Sequence, residues 1–422
     1  MMQTARGETT MSSPTPQLSF RDVLNIRAVR RLWLAQTVSI FGDFLAIFAI
    51  YSVVTFQLHG TANQVAMILI AYMIPLAVVS PLAGVFVDKW NVRWTMIASD
   101  VIRGCLVLAL PFVRDLYAIY AIFFVMSTVS SFFLPAQSVA VRAIAPVAGL
   151  MAVNGLMSQA VQGSQIIAPS IAGVLVQWLG ANSCFLYDSF SFFFSAAMVY
   201  TLTIERAPSP GTAKAGSVMA SMQVGFRFIF THGAIAFVII AMTTGMFAVR
   251  CFGALLSIYV RDVLVSKAAL YGLLNSLIGI GMIIGTQLIP RLARKTSQQH
   301  LVIYGLGGMG LAVLVTALFG TVATTAGGML GLGFFAAFIM ITAQTLIQHE
   351  TPHELLGRVS SSLMSLMAIS QVIAMFVAGP VAEKAGIRNL YLGSAAMLLL
   401  ICITGYWWLG RPQPAAAAET AG

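Results

Sequence analysis

The chain has 422 residues, of which 59% are apolar and only 9% are charged, and its mean hydropathy is +0.90. This composition lies far outside the range of soluble globular proteins, which excludes a soluble enzyme and a nucleic-acid-binding module with an exposed basic face. The formal net charge of +10 is explained instead by Lys and Arg in loops beside a membrane.

Twelve apolar segments are long enough to cross about 30 Å of hydrocarbon as helices that rise roughly 1.5 Å per residue. The sequence therefore predicts an all-α membrane protein with 12 transmembrane helices in two six-helix bundles. The predicted spans are residues 31–58, 64–87, 94–113, 116–141, 150–179, 183–204, 233–260, 268–290, 300–319, 323–348, 359–382 and 389–410. The predicted domains are a cytoplasmic N-terminal segment at 1–28, the first bundle at 29–204, a cytoplasmic linker at 205–232, the second bundle at 233–410 and a cytoplasmic tail at 411–422.

A sequence repeat relates the two predicted bundles. The stretch Ser164–Ala168 (SQIIA) returns as Ser370–Ala374 (SQVIA), and Gly180 returns as Gly386, always 206 positions later. This offset skips an even number of spans, so both halves enter the membrane in the same direction and are pseudo-symmetric. Two related membrane halves around a central site are typical of solute transporters. Lys and Arg are concentrated in the loops on the side of the amino terminus, which predicts cytoplasmic termini and a multi-pass protein of the bacterial plasma membrane.

Span one carries Asp43 at membrane depth, where ionisable residues are functional candidates by default. Span seven carries Arg250 at a similar depth, and the repeat offset places Asp43 opposite position 249, beside Arg250. We expect the two side chains to pair, so that Asp43 binds a proton or a cationic group and Arg250 keeps the carboxylate charged until substrate or a conformational change separates them. A static ion pair that only docks the halves is the alternative interpretation.

The loop between spans two and three runs from Gly84 through Asp88 and Lys89 to Arg93. It resembles the loop signature G-x-x-x-D-[RK]-x-G-[RK]-[RK] of the major facilitator superfamily, and Asn91 replaces the second glycine. The resemblance implies that superfamily's fold of two rocking bundles. Its gate at the cytoplasmic ends of spans two, three, four and eleven would comprise Gly84, Asp88, Arg93, Asp100, Arg103, Arg142 and Arg358. Loop charge that only sets the topology is the alternative for these basic residues.

Span five carries small residues at every fourth position, and Pro169 follows one of them. The pattern is similar to the antiporter motif G-x-x-x-G-P-x-x-G-G of the superfamily's efflux branch. Its members here are Ser164, Ala168, Pro169, Ala172 and Gly173. They predict a smooth face that another helix approaches closely, and generic small-residue packing is the alternative. The segments 133–137 and 351–358 further resemble macrolide and enterobactin exporters.

Polar side chains on the helices that the resemblance assigns to the cavity are candidate solute contacts, and each could equally bond to neighbouring backbone. The candidates are Gln36, Gln137 and Gln344. The 27 Phe and 22 Met residues suit an adaptable apolar cavity and an amphipathic cargo.

Two motifs of soluble enzymes occur by coincidence. His349-Glu350-Thr351-Pro352-His353 matches the zinc-protease pattern, but Pro352 prevents the single helical face that zinc binding needs. The match to G-x-G-x-x-G at 305–310 lies inside an apolar span, where it cannot present a dinucleotide. We therefore expect neither a metal nor a cofactor.

These patterns together predict a secondary active transporter that exports hydrophobic or amphipathic small molecules, such as drugs, macrolides or siderophores. Export would proceed by alternating access coupled to inward proton flow, in a monomer surrounded by lipid. A lysophospholipid flippase of the same fold is the alternative function. An integral-membrane enzyme is a remote alternative, because no convincing nucleophile, base or metal cluster is found.

Overall fold

A computed structural model describes residues 18–87, 89–204, 227–229, 231, 233–293 and 296–409. A short first helix, α1 (Phe20–Asn25), is capped by Ser19, whose hydroxyl accepts a hydrogen bond from the Asp22 backbone N–H. Twelve long helices follow. They are α2 (Arg27–Ser52), α3 (Ala62–Val87), α4 (Val92–Ala109), α5 (Leu116–Ile144), α6 (Leu150–Leu179), α7 (Ala181–Tyr200), α8 (Gly233–Asp262), α9 (Ala268–Leu292), α10 (Gln298–Phe319), α11 (Val322–Glu350), α12 (His353–Ala385) and α13 (Ile387–Leu409).

Ten of these helices are long and apolar enough to cross a membrane by length and composition, which makes the chain a multi-pass membrane protein. The remaining two, α6 and α7, are richer in Ser, Asn and Gln than their neighbours. The all-α class is confirmed, whereas the count of twelve spans stays a prediction.

The repeat extends through the whole described fold. Corresponding helices begin at Arg27 and Gly233, Ala62 and Ala268, Val92 and Gln298, Leu116 and Val322, and Ala181 and Ile387, which are 206 positions apart in every case. The turn before the last helix of each half uses a glycine with positive φ, 80° at Gly180 and 87° at Gly386. Two copies of one six-helix unit therefore make up the molecule.

Contacts divide the helices into two groups, α2–α7 and α8–α13, which pack mainly within themselves. The groups meet where α6 packs on α9 and where α3 packs on α12, and these two contacts correspond under the repeat. The exact domain boundaries remain predictions, and most of the predicted linker at 205–232 lies outside the described residues.

The apolar cores show where the two halves join. One large cluster combines residues of both halves, including Tyr51, Val65, Leu255 and Tyr271. Three smaller clusters each belong to a single half. We call the joined region, formed around 51–66, 166–181, 255–279 and 374–391, the closed end. In the predicted orientation this end would face outward.

Candidate functional site

Four ionisable side chains of α2, α4 and α7 form a cluster inside the first half, which we call the carboxylate cluster; three of them are buried and Asp43 is half-buried. Its members are Asp43, Asp100, Arg103 and Asp188. Arg103 donates to Asp100 Oδ1 at 2.5 Å, and both side chains are almost fully buried. The charge of Arg103 also reaches Asp43 and Asp188. The cluster lies at middle depth, because Asp43 is about 24 Å along α2 at roughly 1.5 Å per residue.

Aromatic rings hold the guanidinium of Arg103 in place. Its central carbon lies 4.4 Å from the ring centroids of both Phe133 and Phe192. Such cation–π contacts strengthen when they are desolvated, so Arg103 has little freedom to leave the cluster.

A glycine brings α2 close enough to α7 for the carboxylates to meet. A Cβ atom added at Gly42 would lie 2.6 Å from Asp188 Oδ1 and 2.5 Å from Ser191 Oγ. Ser191 donates to Asp188 Oδ1 at 3.3 Å, while Oδ2 of Asp188 has no hydrogen-bond partner in the described part of the chain. Asp43, next to Gly42, is thereby placed beside a buried carboxylate.

Two predicted glutamines extend this polar region. Gln137 donates to Gln36 Oε1 at 3.1 Å, and Gln36 donates to Ser195 Oγ at 3.4 Å. Ser195 in turn interacts with Asp100. A connected polar path therefore runs from α5 to the carboxylate cluster, whereas the third glutamine, Gln344, is exposed on α11.

The expected pair between Asp43 and Arg250 is not formed in this structure. Asp43 interacts with Arg103 and Asp100, which lie in its own half. Arg250 donates from Nε to Gln371 Oε1 at 2.6 Å in the second half. The expectation used only depth and repeat position, and in this conformation α4 supplies the cation that interacts with Asp43.

Two of the predicted gate residues lie deeper along their helix than expected. Asp100 and Arg103 were expected at the cytoplasmic end, but α4 carries them about 12 and 16 Å inward at roughly 1.5 Å per residue, and they belong to the carboxylate cluster. Arg93 donates to the backbone carbonyl of Tyr200 and lies over its ring at 4.8 Å. Gly84 lies in α3, and Arg142 and Arg358 are exposed on α5 and α12. Asp88 lies outside the described residues, so the gate as a whole stays a prediction.

Two of the small-residue positions of α6, Pro169 and Gly173, contact the second half at the closed end. Ser164, Ala168, Pro169, Ala172 and Gly173 are all buried. At Gly173 the α9 backbone is so near that an added Cβ would lie 3.1 Å from the Ala268 carbonyl oxygen. The helices therefore meet backbone to backbone, and the antiporter role of this face remains a proposal.

Hydrogen bonds add to the closed end, and the sequence did not reveal their residues. Arg261 of α8 donates from Nη1 to the carbonyl oxygens of Thr55 at 2.9 Å and Gly60 at 2.8 Å. The Thr55 hydroxyl donates to Ser257 Oγ at 2.9 Å, and the Asn63 backbone N–H donates to Glu383 Oε1 at 3.2 Å. Since Arg261 corresponds to Thr55 under the 206-residue offset, it binds its own repeat partner.

A methionine-rich cavity lies between α8, α10 and α11 in the second half. It is a small, half-open cleft with a volume of about 10 Å³. Its lining includes Met242, Met246, Met309, Met340 and Ile339.

The two soluble-enzyme motifs are also located in the structure. The first is divided between two helices, because α11 ends at Glu350 and α12 begins at His353. In the second, Gly308 of α10 packs against the Phe335 ring.

Solved structures with similar folds are membrane transporters. The nucleoside transporter NupG superimposes with a TM-score of 0.73 at 13% identity, over 91% of this chain and 100% of that chain. A bacterial homologue of the human lysosomal transporter Spinster, in an inward-facing conformation, gives a TM-score of 0.68 at 11% identity, over 92% and 98%. These likenesses show the fold.

Sequence relatives cover nearly the whole chain. The MFS-type transporter YfiS of Bacillus subtilis is 25% identical over 391 residues, 89% of this chain and 92% of that protein. Macrolide efflux protein A of Streptococcus pyogenes is 22% identical over 88% of this chain and 93% of its own. The multidrug efflux pump Tap of Mycolicibacterium fortuitum is 23% identical over 82% and 87%.

The family assignment rests on the match to a family model. The model of the Major Facilitator Superfamily matches residues 32–375, which includes the carboxylate cluster, the α6 face and both contacts between the halves. With this match, the transporter relatives and the helical membrane fold, the chain is a transporter rather than an enzyme, and it belongs to the Major Facilitator Superfamily.

Proposed function

We propose that this protein exports hydrophobic or amphipathic small molecules in exchange for protons, and that the carboxylate cluster is its proton site. The observation that carries the proposal is the charge of this cluster. Three carboxylates face one guanidinium, so two negative charges would be uncompensated if all four groups were ionised. Uncompensated charge inside a membrane bundle is costly, so a cation must neutralise it, and a proton is the smallest available.

Protonation of this cluster would change how α2 packs. Asp43 and Asp188 lie on helices that approach backbone to backbone at Gly42, so repulsion between two charged carboxylates acts directly on this contact. One bound proton relieves that repulsion. Since α2 also reaches the closed end through Thr55, a shift of α2 provides a route from proton binding to the opening of that end.

Features outside the cluster support the direction and the cargo. The efflux proteins named above, which act on macrolides or several drugs by their names, are similar to this chain over most of their length. The methionine-rich cavity suits adaptable apolar contacts. Rocking of the halves about the middle of the membrane would open the two sides of the protein in turn.

The test uses purified protein in proteoliposomes with an imposed pH gradient and a panel of dyes, macrolides, siderophores and lysolipids. Asp43→Asn and Asp188→Asn should abolish gradient-driven transport but retain the exchange of substrate for substrate. Glu350→Gln removes an exposed carboxylate and serves as the matched control. Unchanged gradient-driven transport in both cluster variants would refute a proton site at these residues.

A further inference from the structure

We propose that Arg250, Gln371 and Tyr51 form a binding site for the anionic head of an amphipathic molecule, a carboxylate or a phosphate. Arg250 and Gln371 belong to α8 and α12 of the second half, and Tyr51 belongs to α2 of the first. The site thus lies between the halves. This proposal names the chemical class of the exported molecule. It rests on the proposed export function only in treating the bound molecule as cargo.

The guanidinium of Arg250 has unused donors in a fixed orientation. Its Nε donates to Gln371 Oε1 at 2.6 Å, and Gln371 donates from Nε2 to the Met367 carbonyl oxygen of its own helix at 3.3 Å. The amide is therefore fixed with its oxygen toward Arg250. The two terminal NH2 groups of Arg250 have no acceptor among the residues that the structure describes. Their fork matches the two oxygens of a carboxylate or phosphate.

Tyr51 supplies a second unused donor from the opposite half. Its side chain is only 6% exposed, and its hydroxyl has no hydrogen-bond partner within the described ranges. It lies close enough to Arg250 for the two to interact electrostatically. Neighbouring contacts fix its helix: the Phe48 and Tyr271 rings lie 5.0 Å apart, and Thr55 bonds to Ser257. A buried hydroxyl without a partner is costly, and an anion between Tyr51 and Arg250 would satisfy both.

The charge balance around Arg250 favours an anion. In the described part of the chain no carboxylate forms an ion pair with Arg250, because the carboxylate cluster interacts with Arg103. Arg250 is partly exposed and lies about 26 Å along α8 at roughly 1.5 Å per residue. A guanidinium at this depth needs a counter-charge.

An apolar surface continues from the anion site. Met246 precedes Arg250 by one helical turn, so the two side chains project from the same face of α8. Met246 lines the methionine-rich cavity, so apolar side chains continue along this part of the second half from the anion site. An apolar tail that follows an anionic head bound to Arg250 would contact these side chains, and the cavity would have to widen to admit it.

The test measures equilibrium binding to the full chain in nanodiscs of a zwitterionic lipid, with no ion gradient. The probes are dansylated undecanoate and its uncharged primary amide, followed by dansyl fluorescence. Wild-type protein should bind the carboxylate about tenfold more tightly than the amide. Arg250→Gln should erase this preference, and Arg250→Lys, which keeps the charge but loses the fork, should reduce it. Arg291→Gln, at an exposed arginine of α9, is the matched control and should change nothing.

Tyr51→Phe removes only the hydroxyl and should weaken binding of the carboxylate about threefold, with no change for the amide. If the wild-type protein binds both probes with equal affinity, the proposed site is wrong. It is also wrong if Arg250→Lys and Tyr51→Phe weaken the binding of the carboxylate and of the amide by the same factor. Competition by dodecanoate or by lysophosphatidic acid then distinguishes a free acid from a lipid head. Because no gradient is present, failure of proton-driven export would leave this result untouched, and loss of the preference would leave proton coupling untouched.

Discussion

The contact between α6 and α9 offers a direct way to disturb the closed end. A Cβ atom added at Gly272 would lie 2.2 Å from the Pro169 carbonyl oxygen and 3.1 Å from Gly173 Cα, whereas ordinary contact begins at 3.4 Å. Gly272→Ala must therefore move the helices apart by about 1.2 Å. One turn further along α9, the 2.8 Å hydrogen bond between Ser170 and Ser276 would lengthen to about 4 Å and break. Overpacking of this kind costs about 1–3 kcal/mol, which corresponds to a shift of roughly 5- to 150-fold toward the open arrangement.

Distances between spin labels measure this shift. Labels at Asn182 of α7 and Lys384 of α12, both exposed near the closed end, report the separation of the halves in a cysteine-free background. Gly272→Ala should add a population at longer distance. Gly163→Ala is the control, because an added Cβ there meets nothing within 4 Å. An unchanged distance distribution in folded Gly272→Ala protein would refute the idea that this contact holds the end shut.

Three further outcomes are expected. Gly333→Ala should lower the apparent Tm in detergent, because its Cβ would lie 1.8 Å from a carbonyl oxygen of α9. Gly327→Ala has open space around the added Cβ and should leave the Tm unchanged. Equal Tm values for the two variants would contradict this packing. Arg261→Gln loses the charge-assisted hydrogen bonds to the α2–α3 turn. It should increase the rate at which a thiol reagent labels cysteines introduced at the closed end about tenfold. An unchanged labelling rate would argue that Arg261 does not hold this end shut. Hydrogen bonds from Ser19 hold the pKa of Asp22 below its ordinary 3.8, so the cap stabilises α1 above about pH 4 and is lost as the pH falls through the lowered pKa. Hydrogen exchange in α1 should therefore quicken in acid beyond its intrinsic pH dependence, and Asp22→Asn should remove this effect.

Much of the fold was predictable because membrane helices are long and apolar. Spans two, four and eight were placed close to α3, α5 and α9, and the repeat at Ser164–Ala168 correctly indicated two copies of one unit. The membership in the superfamily was confirmed as well, since its loop signature leaves a local trace in the sequence.

The site was less predictable because its partners lie far apart in the chain. The sequence does not identify Asp188 as a candidate, since one Asp in a serine-rich apolar helix has no motif around it. Only the contact at Gly42 shows that Asp188 and Asp43 are neighbours. One sequence signal could have linked Asp100 with Arg103, because residues three apart on a helix share a face.

The common register of the two copies has a consequence for how cargo range can evolve. In the second copy, the positions that correspond to the four ionisable members of the carboxylate cluster hold Val249, Leu306, Met309 and Ser394. After duplication, one copy thus came to hold charge where the other holds apolar or small side chains. On the two proposals, selection for resistance to a new compound should collect substitutions after residue 232 and at Tyr51, while those that alter the driving ion should collect at the carboxylate cluster, before residue 205.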